Sequence, residues 1–355
     1  MDVTSSPAAT GSRLASRLGF SDRVFVGPAA RKLAREVEAG LDLVEEGLAV
    51  DLHVADSIAD APSRYLYEAG GKRVRPVLTL LTAQLGNGNV PAVIDIAKAL
   101  EMTHLGSLYH DDVMDGADRR RGVPAAQTVW GNSIAILTGD ILFSRASQLM
   151  SNHGDRAIRL QADTFERLVL GQMHETVGPQ PGDDPVQFYI QVLADKTGSL
   201  IAAATQAGAI FSGAPAEYED PLRSYGEKVG VAFQLLDDVI DLSAKPEDTG
   251  KVPGTDLRAG VPTMPSLLLS AETDPESAAL AAEIDAGVQR IADGEDPSIL
   301  DDALARLRDH AVTRKTLDLA RSWTQGAIDE LAVLPKGPVR EALTRFAESL
   351  ADRSS

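Results

Sequence analysis

From Arg31 onward the apolar residues of this chain recur at spacings of three and four, and alternating stretches of Val, Ile and Thr are scarce. That period lays an apolar stripe along a helix and fits no half-buried strand. Ala, Leu and Glu are abundant and aromatics are 5% of the 355 residues, in keeping with helix. Four Asp-Pro pairs punctuate the pattern, at Asp184-Pro185, Asp220-Pro221, Asp274-Pro275 and Asp296-Pro297. Asp caps exposed first-turn amides, and Pro suits a first turn because its missing N–H has no partner there. The spacing predicts helices over 30–49, 73–85, 91–114, 125–152, 156–177, 185–212, 221–243, 263–271, 275–292, 297–310, 312–333 and 338–352. The expected fold class is therefore an all-α, single-domain helical bundle. No Gly/Ser/Pro-rich linker divides the middle and no solenoid period is visible, so residues 29–355 are expected to form one catalytic domain behind a flexible N-terminal arm, residues 1–28.

Charge narrows the function classes. With 52 Asp+Glu against 34 Lys+Arg the net charge is −18, which disfavours non-specific binding to nucleic acid or anionic lipid. An anionic ligand would need a local basic cluster or metal ions. There is no cysteine, hence no disulfide framework or thiol chemistry. The first 28 residues lack the apolar stretch of a signal peptide, and nowhere do about 18 apolar residues run together. A cytoplasmic protein without a membrane span is expected.

One short pattern recurs: Asp-Asp-x-x-Asp, as DDVMD (Asp111, Asp112, Asp115) and as DDVID (Asp237, Asp238, Asp241). The first and last carboxylates of each set share one helix face, a turn apart. A lone set is as readily a solvated surface. Here, however, both sets continue apolar helical runs, SLYH and VAFQLL, where surface carboxylates are rare. Hard oxygen ligands so arranged suit Mg²⁺ bridging to a diphosphate. Two basic knots accompany them. Lys72, Arg73 and Arg75 gather in GGKRVRP at an expected helix N-terminus, and Arg119-Arg120-Arg121-Gly122 is expected on a loop. Alone, either knot is an ordinary solvated patch. Beside metal-type carboxylates in an acidic chain, they point to two diphosphates held at once. His104 lies seven residues before Asp111, on the stripe His104, Ser107, Asp111, Asp115.

GGKRVRP, HDDVMDGADRRRG, GQMHE, DKTGSL and FQLLDDVIDLSAKPEDTGK stand in the order and spacing of the trans-polyprenyl diphosphate synthase family, which the chain resembles over roughly residues 30 to 350. The resemblance implies an isoprenoid synthase type of bundle around a central cavity. It implies Mg²⁺, three ions per active site with Mn²⁺ able to substitute, held by Asp111, Asp115, Asp237 and Asp241 against an allylic diphosphate. Arg120, Lys196 and Lys251 would bind that diphosphate. Lys72, Arg75, His104 and Arg121 match positions that hold isopentenyl diphosphate, and Thr197 and Gln234 match positions near the reacting centre. A homodimer, and peripheral membrane contact on product release, are implied likewise. Two departures stand out. The family often carries Gln-x-x-Asp where this chain has Gln172-Met-His-Glu175, which leaves the role of Glu175 open. Gly260-Val261-Pro262-Thr263 lacks a lysine that many members carry.

The expected reaction is head-to-tail condensation of isopentenyl diphosphate with an allylic diphosphate, through metal-assisted ionisation to an allylic cation. A terpene cyclase or a head-to-head synthase would have no use for the GGKRVRP knot. A non-catalytic subunit of a heteromeric synthase could dispense with one aspartate set, and this chain keeps both. For product length, Gly106 and Ser107 lie five and four places before Asp111, where short-chain members of the family carry aromatics. Two small residues there predict a long-chain product, a quinone side-chain precursor, over the short-chain farnesyl or geranylgeranyl alternative. The competing explanation is that they allow close helix packing.

Overall fold

The structure, a computed structural model, describes residues 27–243 and 253–351. The N-terminal arm, apart from its last two residues, and Lys251 lie outside the described residues. The elements in order are α1 (Pro28–Asp51), α2 (Ser57–Glu68), α3 (Val74–Ala83), α4 (Pro91–Met114), β1 (Arg119–Arg120), β2 (Val123–Pro124), α5 (Ala126–Trp130), α6 (Asn132–Ser151) and α7 (Asp155–Val177). There follow α8 (Pro185–Leu193), a π-helical turn (Ala194–Gly198), α9 (Ser199–Ser212) and α10 (Glu219–Ser243). Then come α11 (Thr255–Arg258), α12 (Met264–Ser270), α13 (Pro275–Ala292), α14 (Asp301–Asp309), α15 (Ala311–Glu330) and α16 (Pro338–Ala351). The fold class is all-α. Two strands of two residues each form the one sheet among the described residues.

Asp-Pro punctuation acts as expected at two helix starts. Asp184 accepts from the amides of Val186 and Gln187, and Asp274 from those of Glu276 and Ser277. Asp296 caps a 3₁₀ turn, Pro297–Leu300, which precedes α14. Asp220 departs from expectation. A 3₁₀ turn over Ala216–Tyr218 runs straight into α10, so Asp220 sits inside the first turn rather than capping it. The helix expected over 125–152 is broken at Gly131, whose φ of 85° is outside the helical region. That expected over 185–212 carries the π turn.

Helix α2 lies outside the expected set and carries Pro62 within it. Asp56 starts it, accepting from the amides of Ile58 and Ala59 at 2.8 and 3.2 Å. The Tyr109 hydroxyl, from α4, then enters the ladder at the proline, accepting from the Leu66 amide at 3.2 Å and donating to the Pro62 carbonyl. A side chain 47 residues away thus joins the ladder beside the residue that interrupts it.

By contact density the described residues divide into two units. The first comprises residues up to Val169, Ser199–Gly226 and Glu330–Phe346. Its centre is α4, whose Val93, Ile96, Leu100, Leu105 and Tyr109 among others are buried; so wide an apolar surface belongs inside. It meets α6 through glycines: a Cβ at Gly139 would fall 3.0 Å from the Gly106 carbonyl. On α9, Gly208 lets α3 approach, since a Cβ there would fall 2.1 Å from the Thr79 carbonyl. The second unit comprises Leu170–Gly198, Glu227–Asp329 and the residues from Ala347 on. Leu242, Leu257, Leu269, Leu280, Ile284, Leu300, Leu304, Leu307 and Val312 form a core there. Among the described residues no helix is long and apolar enough to cross a membrane.

Candidate active site

The first aspartate set ends α4. Asp111 is half-buried, Asp115 is exposed as the helix C-cap, and Asp112, between them, is fully buried. Arg120 donates to Oδ1 of Asp112 through Nε and pairs with it through Nη2, both at 2.6 Å. Burial raises the Asp112 pKa, and Arg120 opposes the rise. Gln127 donates to the Asp112 and Ala117 carbonyls at 2.8 and 2.6 Å, which satisfies acceptors at the helix end. The middle carboxylate therefore anchors the turn, with the half-buried Asp111 before it and the exposed Asp115 after it.

Arg120 lies in a hairpin rather than the expected loop. Arg119 pairs with Pro124 and Arg120 with Val123. Arg121 and Gly122 form the two-residue turn with φ of 52° and 80°, the left-handed pair that matches strand twist. Arg121 donates to the carbonyls of Leu66, at 2.7 Å, and of Gly70. In GGKRVRP the arginines divide. Arg73, expected among the phosphate-gathering cations, is buried and ion-paired with Glu45 and Glu101 at 3.1 and 3.3 Å. Lys72 is exposed. Arg75 enters the first turn of α3, and its Nε is buried without a hydrogen-bond partner. Burial, together with repulsion from Arg121, lowers the Arg75 pKa to about 10 against the pull of Glu101.

His104 joins this cluster. Its pKa is driven well below the usual imidazole range, first by burial and then by Arg75, Arg121, Arg120 and Arg73. A neutral imidazole thus lies in the field of four guanidinium groups, one of which carries an unsatisfied donor. Such a cluster attracts an oxyanion rich in acceptors. It rests on α4, the helix that ends in the first aspartate set.

In the second unit, Asp237 is exposed, Asp238 buried and Asp241 half-buried. Asp238 accepts from the Tyr189 hydroxyl at 3.2 and 3.0 Å and from the Met264 amide at 2.8 Å. Burial raises its pKa to about 8 in spite of these donors. Asp241 accepts from the amides of Thr255 and Asp256, each at 3.3 Å, which open α11. Asp256 adds a further carboxylate whose charge reaches Asp238. Both aspartate sets share one plan, a buried middle carboxylate held by protein with outer carboxylates beside it. Among the described residues no three carboxylates or histidines converge into a ready-made metal cage. Mg²⁺ needs none, because it takes one or two carboxylates and completes its shell with water and phosphate oxygens. The donor set fits the ion.

Lys196 lies in the π turn and pairs with Glu175. The turn is clasped by glycines. A Cβ at Gly171 would lie 2.5 Å from the Lys196 nitrogen, and one at Gly230 would lie 2.5 Å from the Gly198 Cα. Single π turns interrupting a helix frequently mark functional sites. Glu175, whose role the sequence left open, is thus the partner of Lys196. Gln172 has a buried Oε1 without a partner. Thr197 and Gln234 are half-buried, in the π turn and one turn ahead of Asp238. Gly106 is a packing position: a Cβ there would lie 3.1 Å from both the Gly139 carbonyl and the Phe143 ring. Ser107 donates to the His104 carbonyl at 2.9 Å. Tyr189 and Asp256 escaped the sequence reading, and the Gly-Thr-Asp-Leu that follows the second set was the one local signal for Asp256.

Residues 56–295 match the sequence profile of the Polyprenyl synthetase family. Nonaprenyl diphosphate synthase of Mycobacterium tuberculosis is 41% identical over 321 residues, 90% of this chain and 94% of that protein. A Caulobacter crescentus polyprenyl synthase, crystallised with calcium and isoprenyl diphosphate, superposes with a TM-score of 0.81 at 32% identity, over 91% of this chain and 97% of the other. A Corynebacterium glutamicum geranylgeranyl pyrophosphate synthase, likewise with calcium and isoprenyl diphosphate, gives 0.80 at 37% identity over 93% and 99%. With its paired aspartate sets, its cation cluster and this similarity along nearly its whole length, the chain belongs to the polyprenyl synthetase family.

Proposed function

We propose that this protein condenses isopentenyl diphosphate head-to-tail with an allylic diphosphate, repeatedly, to give a long-chain all-trans polyprenyl diphosphate. The observation that carries the reading is on α4. One helix ends in a carboxylate set suited to Mg²⁺ and also supports a cation cluster whose nearby carboxylates, Glu45 and Glu101, are paired with Arg73. Arg120 belongs to both, pairing with Asp112 and reaching His104 with its charge. Two differently built diphosphate sites on one helix suit a two-substrate reaction. A terpene cyclase has one substrate diphosphate and would leave the second site idle. The 41% identical nonaprenyl synthase favours the long-chain product.

In this reading Asp111, Asp115, Asp237 and Asp241 would hold three Mg²⁺ ions, which when bound would supply Lewis-acid neutralisation of the allylic diphosphate. Arg120, Lys196 and Lys251 bind the same group. Lys196 is presented by the π turn, with Glu175 fixing its amine. Lys72, Arg75, His104 and Arg121 hold isopentenyl diphosphate, and the neutral imidazole of His104 can donate to a phosphate oxygen without adding repulsion. Thr197 and Gln234 line the reacting centre. The allylic C–O bond breaks, the isopentenyl double bond attacks the allylic carbon, and a proton leaves to the departing diphosphate. Holding both substrates together supplies much of the rate. Residues 29–355 act as one catalytic domain in a cytoplasmic homodimer, with peripheral membrane contact on product release.

Incubation of the purified protein with labelled isopentenyl diphosphate, an allylic starter and Mg²⁺ tests the reading. A ladder of prenyl products ending in a long chain is expected. Chelation should abolish it, and Asp111→Ala or Asp237→Ala should cut it by orders of magnitude with helicity retained. No incorporation by the wild type, or full activity in excess chelator, would overturn the reading.

A further inference from the structure

We propose that Arg73 is a positioning residue for the isopentenyl diphosphate site: it sets the loop that presents Lys72 and Arg75 and touches no substrate itself. The inference rests on the function proposed above and assigns a role to a cation which that function does not use.

The loop is built from backbone that side chains rarely adopt. Gly70 and Gly71 have φ of 96° and 142°, and Arg73, at the N-cap of α3, has φ 52° and ψ 39°. For an L-residue with a long side chain this left-handed conformation is unfavourable, so the surroundings must hold it. The Arg73 side chain does so. Nε donates to Glu45 on α1 at 3.1 Å. Nη1 donates to the Gly70 carbonyl at 3.0 Å and to Glu101 on α4 at 3.3 Å. Nη2 donates to the Tyr67 carbonyl at 3.1 Å, and the guanidinium carbon stands 4.8 Å from the centre of the Tyr67 ring. Three helices are joined through one group whose side chain is 3% exposed.

The same group ties the loop to the hairpin. Arg121 donates to the Leu66 and Gly70 carbonyls, so the Gly70 oxygen receives both arginines. The Leu66 and Tyr67 carbonyls belong to the last turn of α2, where the helix dipole favours cations, and the Tyr67 oxygen also accepts from the Gly70 amide at 3.0 Å. Gly71 must be glycine for this closure, since a Cβ would fall 2.7 Å from Arg73 Nη1 and 3.0 Å from Arg121 Cζ. Glu101 also draws on Arg75 and Arg121. It thereby offsets the repulsion that packing these guanidiniums together creates. Arg73 fixes the backbone on either side of Lys72 and two residues before Arg75. Lysine in its place keeps the charge but cannot reach two carboxylates and two carbonyls from one planar fork.

The test is steady-state kinetics of Arg73→Lys and Arg73→Met with each substrate varied in turn, alongside thermal melts. Wild-type turnover, measured first, tests the proposed reaction by itself. For Arg73→Met the KM for isopentenyl diphosphate should rise at least tenfold while that for the allylic diphosphate stays within about twofold. Arg73→Lys should restore little of this. A merely structural role would lower the melting temperature and the active fraction without separating the two KM values. Should Arg73→Met fail to fold, Arg73→Lys and Glu45→Gln carry the test. Should the wild type turn nothing over, calorimetric titration of wild type and Arg73→Lys with isopentenyl diphosphate decides it, a tenfold weaker variant supporting the role. Equal KM changes for both substrates, or an isopentenyl KM or affinity within twofold of wild type in the folded variants, would overturn it.

Discussion

His104 makes native stability depend on pH in a definite direction. Its pKa is driven well below the ordinary value of 6.5 by burial and then by Arg75, Arg121, Arg120 and Arg73. An unfolded chain takes up the proton near pH 6.5, and the native chain does not until the pH is well lower. The contribution is therefore fully present above about pH 6.5 and is lost as the pH falls through the native value, at up to about 1.4 kcal/mol per pH unit for one proton. His104→Gln should flatten the fall of melting temperature between pH 6.5 and 5, and superimposable profiles would refute this. The residues that sequence made visible are those that repeat within one helix: Asp111 with Asp115, Asp237 with Asp241, His104 on the same stripe as Asp111. Those it hid act across the chain. Arg73 meets Glu45 and Glu101 at separations of 28 residues, and Tyr189 meets Asp238 at 49. No local pattern marks such partners, and an arginine inside GGKRVRP reads like its neighbours until its burial is seen.

At the scale of elements, the α4–α6 contact separates the two small residues ahead of Asp111. Gly106 lies against Gly139 and Phe143, so even Gly106→Ala should lower stability by about 1–3 kcal/mol through overpacking. Its product length should change little in the fraction that folds. We propose that Ser107 carries the control of length. A bulky side chain one helical turn before Asp111, about 5 Å back, would stop the chain early, so Ser107→Phe should give a markedly shorter product with turnover retained. Product sizing by mass spectrometry checks both, and an unchanged product from Ser107→Phe would remove the assignment. Other elements show where helical periodicity misleads. Helix α2 carries Pro62, and the hydroxyl that joins its ladder there comes from Tyr109 on another helix, which no local period shows. The π turn was invisible because a one-residue widening hardly disturbs the apolar stripe. Its glycines, Gly171 and Gly230, were in plain view without their contacts. Gly171→Ala would push against the Lys196 backbone, with a Cβ 2.5 Å from its nitrogen. It should impair turnover and disturb the Lys196–Glu175 pair more than it lowers helicity, and unchanged kinetics would argue against a role for the turn.

At the scale of the whole molecule, a chain of net charge −18 must bind polyanions. Charge of that sign repels diphosphate at long range, so binding requires local cations. The aspartate sets meet the need in a conditional way. In the proposed site their outer carboxylates would repel a bare diphosphate and attract Mg²⁺, while Mg²⁺ held by few carboxylates keeps open positions for phosphate oxygens. Each partner therefore makes a site for the other. Binding to the native state raises stability by RT ln(1 + [L]/Kd), about 2.7 kcal/mol when the ligand is at a hundred times its Kd. Two ligands that bind independently would raise it by the sum of their separate effects. Metal and diphosphate bound as a unit should exceed that sum. We expect millimolar Mg²⁺ or inorganic pyrophosphate alone to move the melting temperature little, and the two together to raise it by several degrees. If each set contributes ligands, as proposed, Asp111→Ala and Asp237→Ala should each lose most of the excess. Lys72→Ala should keep it, because the role proposed for Lys72 is at the isopentenyl diphosphate site. Scanning calorimetry of the four proteins under the four ligand conditions measures these terms. Strictly additive shifts in the wild type, or an excess that survives both aspartate substitutions, would show that the carboxylate sets do not join metal to diphosphate.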